Sequence, residues 1–194
     1  MRKGKETEIK LAVSDATAAR ARLRRLGFVI RQPRRFEQNT LFDTTAGALR
    51  RRGVMLRLRS VNRRHWLTFK GPAEGSQRYK VRPEFEIELA DAVAGKRILA
   101  GLGFEPVFRY EKYRTVWGPP GVGGEAMLDE TPIGNFLELE GSRAWIRSVA
   151  RALGAGPEHF ITRTYTELFT NWRRRTRRRD PHMAFPGHRR AVPS

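Results

Sequence analysis

Two glutamates and a lysine near the start of the chain have the spacing expected of side chains that bind a metal ion together with an anion. Glu6, Glu8 and Lys10 alternate with Thr7 and Ile9, so an extended strand would place the three charged groups on one face. Carboxylates bind divalent cations, and an ammonium group attracts phosphate. The same pattern is also typical of a strand that is solvated on one face, so it does not decide the function alone.

Five later segments repeat this alternation of charged or polar side chains with mostly apolar neighbours. Some of them carry pairs of cations and others carry pairs of carboxylates, whereas a solvated strand face usually mixes Thr, Ser, Lys and Glu. The segments are residues 57–59, 68–70, 84–88, 112–114 and 138–140. This segregation indicates a set of strands whose charged sides meet in one place.

The composition predicts one domain without disulfides or membrane spans. A chain of 194 residues that is 39% apolar can bury one core. The absence of cysteine excludes a disulfide framework, a thiolate zinc site and a cysteine nucleophile. No apolar run approaches the roughly 20 residues of a membrane span, and the first residues lack the apolar segment of a secretory signal. We therefore expect a cytoplasmic protein.

The formal net charge of +19 indicates an anionic partner: nucleic acid, polyphosphate or a small phosphorylated substrate. Residues 173–194 hold eight arginines and one aspartate, a net +7, which leaves +12 on residues 1–172. Because this tail has few apolar residues, it is predicted to be disordered. It either contacts nucleic acid, acidic lipid or polyphosphate, or is simply solvated. We therefore divide the chain into a folded domain over 1–172 and an arginine-rich tail over 173–194.

Capping residues and turns predict the elements that position the charged strands. Three helices begin at an Asp or Ser cap and end before a Gly, and a fourth, shorter one follows. These helices are predicted over residues 16–26, 91–102, 142–153 and 164–172. Hairpins are predicted over 54–70 and 126–140, and a long strand over 106–117. The stretch 28–42 has extended character, but Pro33 argues against a central strand there.

A strand–helix–strand unit occurs twice in the chain. The charged triplet at 6–10 recurs at 84–88 with an offset of 78 positions, and the Leu-Gly-Phe at 26–28 recurs at 102–104 with an offset of 76. The difference between the two offsets predicts that the copies differ by two residues in the helix region. Two copies indicate a duplicated unit and not a solenoid array.

Roughly eight strands and three capped helices predict an α+β fold built on an antiparallel eight-stranded β-barrel, with charge in the lumen and helices packed outside. An open sheet with one solvated face is the alternative. Each ion buried in such a lumen costs several kcal/mol unless it is paired, and a polyanion would neutralise the surplus of Lys and Arg. The carboxylates would then need divalent cations between themselves and the phosphates, a role that suits Mg²⁺. The residues therefore predict a metal–polyphosphate site.

The order of these motifs resembles the CYTH family of triphosphate tunnel metalloenzymes, which groups class IV adenylate cyclases, thiamine triphosphatases and inorganic triphosphatases. The resemblance covers about residues 5–170 and includes the hallmark E-x-E-x-K at 6–10. Paired arginines, T-x-K, a middle acidic strand, K-x-R, a following acidic residue and a late E-x-E come next in the family's order. The chain departs from the family near its end, where Arg163 stands in place of a Lys before a Ser-Tyr dipeptide.

The resemblance implies a role for each matched residue. The cations implied to clamp the triphosphate and act in catalysis are Lys10, Arg57, Arg59, Lys70, Lys112 and Arg114, and Arg163 is expected to bind substrate with them. The carboxylates implied to hold one or two Mg²⁺ or Mn²⁺ ions are Glu6, Glu8, Asp129, Glu138 and Glu140. Glu86 and Glu88 either ligate metal or pair with arginines.

The chemistry that the resemblance implies is phosphoryl or nucleotidyl transfer by positioning and charge neutralisation. We expect a hydrolase acting on inorganic triphosphate, thiamine triphosphate or a nucleoside triphosphate. The alternative is an adenylate cyclase that converts ATP to cyclic AMP and pyrophosphate, although no distinct amides or aromatics can be assigned to an adenine. A third hypothesis is a polyphosphate- or nucleic-acid-binding module without turnover. The carboxylate pairs argue against it, because they would repel a phosphate backbone unless metals intervened.

Overall fold

The computed structural model describes residues 3–74, 78–119, 121 and 123–187. The strands are β1 (Lys3–Val13), β2 (Val29–Asp43), β3 (Met55–Val61), β4 (Arg64–Lys70), β5 (Lys80–Leu89), β6 (Glu105–Gly118), β7 (Gly124–Thr131) and β8 (Gly134–Gly141). The helices are α1 (Ala16–Arg25), α2 (Ala48–Arg51), α3 (Ala92–Gly101), α4 (Arg143–Ala152) and α5 (Tyr165–Thr176). The strands close into an antiparallel barrel in the order β1-β5-β4-β3-β2-β6-β7-β8. The predicted eight-stranded barrel with helices outside is therefore confirmed.

The hydrophobic core lies between the outer surface of the barrel and the helices. On β1, Ile9 and Leu11 are buried in this outer core, where they join Leu23 of α1 and Ile146 of α4. Successive side chains of a strand point to opposite faces, so burying these apolar residues outside turns the charged residues between them toward the lumen. The fold therefore uses its apolar faces for stability and leaves its charged faces to form a site.

The two halves of the chain repeat one another at a constant offset of 76 residues. β1 ends at Val13 and β5 at Leu89, and α1 and α3 each contain 10 residues. The duplicated unit is present, but the predicted two-residue difference in the helix region is wrong. An offset of 76 matches Glu8 with Glu84, whereas the alignment of the charged motifs had matched Glu6 with Glu84, two residues away. A shift of two keeps every side chain on the same face of a strand, so the misalignment moved no charge out of the lumen.

Strand β2 continues through Pro33, where the sequence argued against a central strand. Its pairing with β6 shifts register between Ile30 and Gln32 and again between Gln32 and Arg35. Such bulges leave a residue unpaired in the ladder, so they accommodate a proline that has no N–H to donate.

Residues 173–187 do not form the predicted disordered tail. Helix α5 extends to Thr176, and the chain then returns along β6, where Met183 is fully buried. Phe185 packs against the ring of Tyr113, with the two ring centroids 5.2 Å apart. The prediction relied on the low apolar content of the segment, but two apolar side chains suffice to hold it when they meet a barrel surface. Residues 188–194 lie outside the described residues.

Within the ranges that the structure describes, every helix is too short or too polar to cross a lipid bilayer.

Candidate active site

The barrel encloses a cavity of about 300 Å³ whose wall is mostly charged. Its described lining includes ten Lys or Arg side chains and eight Glu side chains. The cationic lining residues are Lys10, Arg35, Arg57, Arg59, Arg64, Lys70, Lys80, Arg82, Lys112 and Arg114. The acidic ones are Glu6, Glu8, Glu37, Glu84, Glu86, Glu125, Glu138 and Glu140. All six predicted clamp cations and five of the seven predicted metal-binding carboxylates therefore meet in one cavity.

Two predicted site residues, Glu88 and Arg163, are exposed and do not line the described part of the cavity. Glu88 is exposed and accepts two hydrogen bonds, of 2.7 and 2.8 Å, from the guanidinium of Arg64. Arg163 is also exposed and does not line the cavity, which α5 and its cap reach instead through Thr164, Tyr165 and Thr166. Thr164 therefore faces the site in this chain, whereas Arg163, at the position of the family's cation, does not.

Glu86 and Glu88 were expected either to ligate metal or to pair with arginines, and in the structure both side chains pair with an arginine. Glu86 lies 2.9 Å from Arg59 and also accepts a 2.7 Å hydrogen bond from the hydroxyl of Thr68. Glu86 lines the cavity, whereas Glu88 stands at the end of β5 beyond it. Glu86 thus supports the arginines of β3 from within the tunnel.

Asp129 is fully buried on the lumen-facing side of β7 and acts as a counter-ion for two clamp cations. Its carboxylate accepts a 2.8 Å hydrogen bond from Lys112 Nζ and two bonds of 2.6 Å from the guanidinium of Arg114. It is fully buried and is absent from the described cavity lining. The position that the resemblance assigned to metal binding therefore holds Lys112 and Arg114 in place.

Strands β1 and β8 present two carboxylates that share one ammonium group. Lys10 Nζ lies 3.6 Å from Glu8 Oε1 and 3.2 Å from Glu138 Oε1. Burial disfavours the charged form of Lys10, but Glu138 and Glu8 outweigh it and raise the pKa of Lys10 above its ordinary value. Burial likewise opposes ionisation of Glu8, but Lys10 and Lys80 lower its pKa below the usual range. This wall therefore binds a positive charge between two ionised carboxylates.

Glu6, Lys70 and Glu84 form a second cluster next to this wall. Lys70 Nζ lies 2.6 Å from Glu6 Oε2 and 3.0 Å from Glu84 Oε2. Burial, assisted by the negative charge of Glu8, raises the pKa of Glu6 to about 8. Glu6 also shares a side-chain hydrogen bond with Glu84, which favours the protonated form of Glu6. A divalent cation bound here would relieve the repulsion between these neighbouring carboxylates that protonation of Glu6 now relieves.

The raised pKa of Glu6 predicts a pH dependence of stability in metal-free buffer. The folded state keeps a proton on Glu6 that the unfolded chain, with an ordinary pKa of 4.5, releases. The contribution of Glu6 is therefore fully present below pH 4.5 and is lost as the pH rises toward about 8, by up to about 1.4 kcal/mol per pH unit. We expect Glu6→Gln to remove this decline, as measured by urea unfolding from pH 4.5 to 8. Equal slopes for wild type and variant would contradict the prediction.

Arg57 and Arg59 project from β3 into the same space. Arg57 donates to Tyr110 Oη at 3.3 Å and to Thr68 Oγ1 at 3.2 Å. Burial and the neighbouring Arg57 charge together lower the pKa of Arg59, and the Nε atom of each arginine has no hydrogen-bond partner among the described residues. Crowded guanidinium groups with unused donors are suited to an anion that has several oxygens.

The sequence motifs missed two tunnel cations on β5. Lys80 and Arg82 are buried and line the cavity, and Lys80 Nζ lies 3.3 Å from Glu8 Oε1. Burial outweighs Glu8 and lowers the pKa of Lys80 to about 8. Both residues share the parity of Glu84, so the signal was present in the sequence. Pro83 lies between these two residues and the acidic motif. Because proline is disfavoured inside strands, the sequence did not predict that β5 begins as early as Lys80.

The donor set fits a divalent metal that is completed by substrate. Among the residues that the structure describes, no three His, Cys, Asp or Glu side chains converge into a self-sufficient metal site. Glu8 and Glu138 are instead paired about one ammonium group, with Glu6 on the same strand as Glu8. Mg²⁺ typically takes one or two carboxylates together with waters and substrate phosphates. The carboxylates of β1 and β8 have the charge and the number that such a site needs.

Comparison with known proteins identifies the family. A family profile described as the CYTH domain matches residues 4–165. A protein of Methanocaldococcus jannaschii, whose name proposes adenylate cyclase activity, is 28% identical over 84% of this chain and 97% of its own length.

Solved structures share the fold. A Vibrio parahaemolyticus protein, whose name likewise proposes adenylate cyclase activity, superposes with a TM-score of 0.76 at 18% identity over 87% of this chain and 99% of its own. A Hippeastrum protein, described as a proposed adenylyl cyclase with a dominant triphosphatase activity, gives 0.65 at 18% identity over 86% and 95%. Because the family profile covers most of the sequence and the barrel is shared, the chain belongs to the CYTH domain family.

Proposed function

We propose that this protein is a divalent-metal-dependent triphosphate hydrolase that works inside the barrel. The observation that carries the proposal is the cavity itself, which gathers ten cations and eight carboxylates in a largely buried space. A module that only binds nucleic acid needs cations on an accessible surface and gains nothing from enclosed carboxylates. A substrate that brings both phosphates and a metal neutralises both sets of charges.

The cations would bind the phosphate oxygens from several strands of the tunnel wall. Arg57 and Arg59 lie on β3 and Lys112 and Arg114 on β6, with β2 between these strands. Guanidinium groups bind phosphate with paired hydrogen bonds, and the ammonium groups supply point charges. Because these side chains are already held by carboxylates and hydroxyls, little reorganisation is needed when charge develops on the phosphoryl oxygens.

Glu8 and Glu138 would hold Mg²⁺ or Mn²⁺, with Glu6 and Glu140 beside them on the same two strands. Enzymes of this family generally depend on a divalent metal. When bound, the ion supplies charge neutralisation of the triphosphate and activation of water. Lys10 now lies between Glu8 and Glu138, and it would turn toward a phosphate oxygen once those carboxylates were occupied.

Hydrolysis is favoured over cyclisation by the aromatic residues of the cavity. A cyclase must orient a base and a sugar as well as the phosphates. In the described lining, the ring of Trp66 has Arg59 and Arg64 at 4.9 and 5.0 Å from its centroid. Tyr110 and Tyr165 pack against each other, with ring centroids 5.6 Å apart. Each aromatic ring is therefore already in contact with a cation or another ring, which leaves little surface on which to stack a base.

The second candidate function is an adenylate cyclase, because the relatives in Methanocaldococcus jannaschii and Vibrio parahaemolyticus bear names that propose this activity. The cytoplasmic location and the contact of the arginine-rich residues 173–194 with nucleic acid or polyphosphate stay predictions.

A product assay separates the two enzymes. The full chain with Mg²⁺ or Mn²⁺ should release orthophosphate from tripolyphosphate or thiamine triphosphate, and cyclic AMP should not be the main product from ATP. Removal of the metal with EDTA should stop turnover. A Glu138→Gln variant purified in parallel controls for contaminating phosphatase. Stoichiometric cyclic AMP and pyrophosphate from ATP, with tripolyphosphate acting only as an inhibitor, would replace hydrolysis by cyclisation.

A further inference from the structure

Tyr165, the first residue of α5, connects the C-terminal helix to the tunnel. Its side chain is buried and lines the cavity, and its hydroxyl donates a 2.6 Å hydrogen bond to Asp129 Oδ2. Its ring centroid lies 5.4 Å from Lys10 Nζ and 5.2 Å from Lys112 Nζ. One side chain therefore contacts clamp cations of two different strands and the carboxylate behind them.

Asp129 transmits this contact to the cations of β6. Its Oδ2 atom accepts from Lys112, from Arg114 and from the Tyr165 hydroxyl, while its Oδ1 atom accepts from Arg114 as well. Loss of the hydroxyl would leave Asp129 with two cationic partners on one side and no donor on the α5 side. The carboxylate would then be fixed from one side only, and Lys112 and Arg114, which bond to it, would be less firmly positioned.

A segment at the C-terminus keeps α5 against the barrel. Met183 accepts a 2.8 Å backbone hydrogen bond from Glu111 N and donates one of 3.0 Å to Arg109 O. The backbone N–H of Phe185 donates to Glu111 Oε2 at 3.0 Å. The Met183 side chain is packed in the same cluster as Tyr165 and Phe169 of α5. This segment lies beyond residue 165, where the match to the family profile ends.

We propose that Tyr165 is a positioning residue for the phosphate clamp and that residues 177–187, which we call the latch, hold it against Asp129. The proposal rests on the proposed function in one respect, namely that Lys112 and Arg114 bind phosphate. It gives the arginine-rich C-terminal segment a role in the site, whereas the composition had predicted a disordered tail.

The first test compares Tyr165→Phe with wild type and with Tyr79→Phe. Tyr79 is a buried tyrosine of the outer core that packs against Phe160 and has no part in the tunnel. Two quantities are measured: the affinity for tripolyphosphate without metal, by calorimetry, and kcat and KM with metal. A hydrogen bond to a charged group predicts that Tyr165→Phe weakens tripolyphosphate binding about tenfold to hundredfold. Tyr79→Phe should bind and turn over like wild type. Affinity and kcat within twofold of wild type for Tyr165→Phe would overturn the proposal.

The second test removes the latch. Deletion of residues 177–194 should weaken tripolyphosphate binding by about the same factor as Tyr165→Phe, and combining the two should add little, because both act through Asp129. Deletion of residues 188–194 alone is the matched control and should leave binding unchanged. Met183→Ala, which opens a cavity in the latch contact, serves if the longer deletion does not fold. Losses that add independently would overturn the role of the latch.

These results also separate the proposal from the proposed function. Wild type that binds tripolyphosphate but releases orthophosphate from none of tripolyphosphate, thiamine triphosphate and ATP, together with weak binding by Tyr165→Phe, supports the positioning role and overturns the hydrolase. Turnover that is unaffected in Tyr165→Phe supports the hydrolase and overturns the positioning role. Absence of tripolyphosphate binding by wild type, both with and without metal, overturns the phosphate clamp and with it the positioning role, while the product assay still decides the hydrolase.

Discussion

Replacing Glu138 or Glu8 with glutamine is expected to remove nearly all metal-dependent turnover, by at least about 100-fold, while the barrel stays folded. Burial opposes ionisation of Glu138, but Arg114 and Lys10 hold its pKa well below its usual range, so the wild-type group is a carboxylate at neutral pH. An amide of the same shape cannot match the attraction of a carboxylate for Mg²⁺. The change also leaves Lys10 with one carboxylate in place of two.

The measurement is steady-state phosphate release over a range of Mg²⁺ or Mn²⁺ concentrations, with thermal unfolding to confirm the fold. Glu88→Gln is the matched control, since Glu88 belongs to the charged pattern of the sequence but lies outside the cavity, paired with Arg64. It should retain wild-type turnover. Near-native rates for both Glu8→Gln and Glu138→Gln at saturating metal would show that these strands do not hold the metal.

Asp129→Asn is expected to have the largest effect on stability, a loss of about 3–5 kcal/mol in the free energy of unfolding. Asp129 is fully buried and pairs with Lys112, which is also buried, and with Arg114, whose side chain is 12% exposed. An asparagine would remove the carboxylate that Lys112 and Arg114 share, leaving Lys112 with Glu37 and Arg114 with Glu138. It would also place an amide nitrogen against donors that need an acceptor. Binding of tripolyphosphate should fall with the stability, because the same two cations form part of the clamp.

Urea unfolding of Asp129→Asn and Glu130→Gln provides the comparison. Glu130 is the next residue of β7 and pairs with Arg20 and Arg34 on the outside of the barrel, where its side chain is 20% exposed. It therefore also has two arginine partners, but in a partly exposed setting where water screens the charges, and its loss should cost about 1 kcal/mol, well below the loss for Asp129→Asn. Similar losses for the two variants would mean that the Asp129 cluster is solvated, contrary to its burial.

The sequence by itself determined which face each strand turns to the lumen. Charge alternates with apolar residues at a period of two, and this period is a local property of extended backbone. The motifs therefore placed Lys10, Arg57, Lys112 and their neighbours correctly without any knowledge of the pairing. Helix limits were likewise predictable because the caps at Asp15 and Asp91 and the glycines that follow the helices act within a few residues.

The tertiary structure decided which charges meet and which strand positions lie within the tunnel. Lys70 meets Glu6, and Lys10 meets Glu138, only because the barrel closes and brings distant strands together. The alternation of charged and apolar residues does not indicate how far along a strand the lumen extends. Glu88 on β5 therefore fits the pattern although it lies beyond the described cavity. The tilt and stagger of a closed barrel set those limits.

Asp129 and the C-terminal segment show the same dependence on long-range packing. Nothing in the residues around Asp129 indicates that the hydroxyl of Tyr165, 36 positions later, donates a hydrogen bond to its carboxylate. Low apolar content predicted disorder after residue 172, yet Met183 is buried because the barrel offers β6 and α5 as a preformed surface. Alternation and capping are decided by the nearest residues along the chain, whereas pairing, depth and docking depend on surfaces that exist only after the barrel has closed.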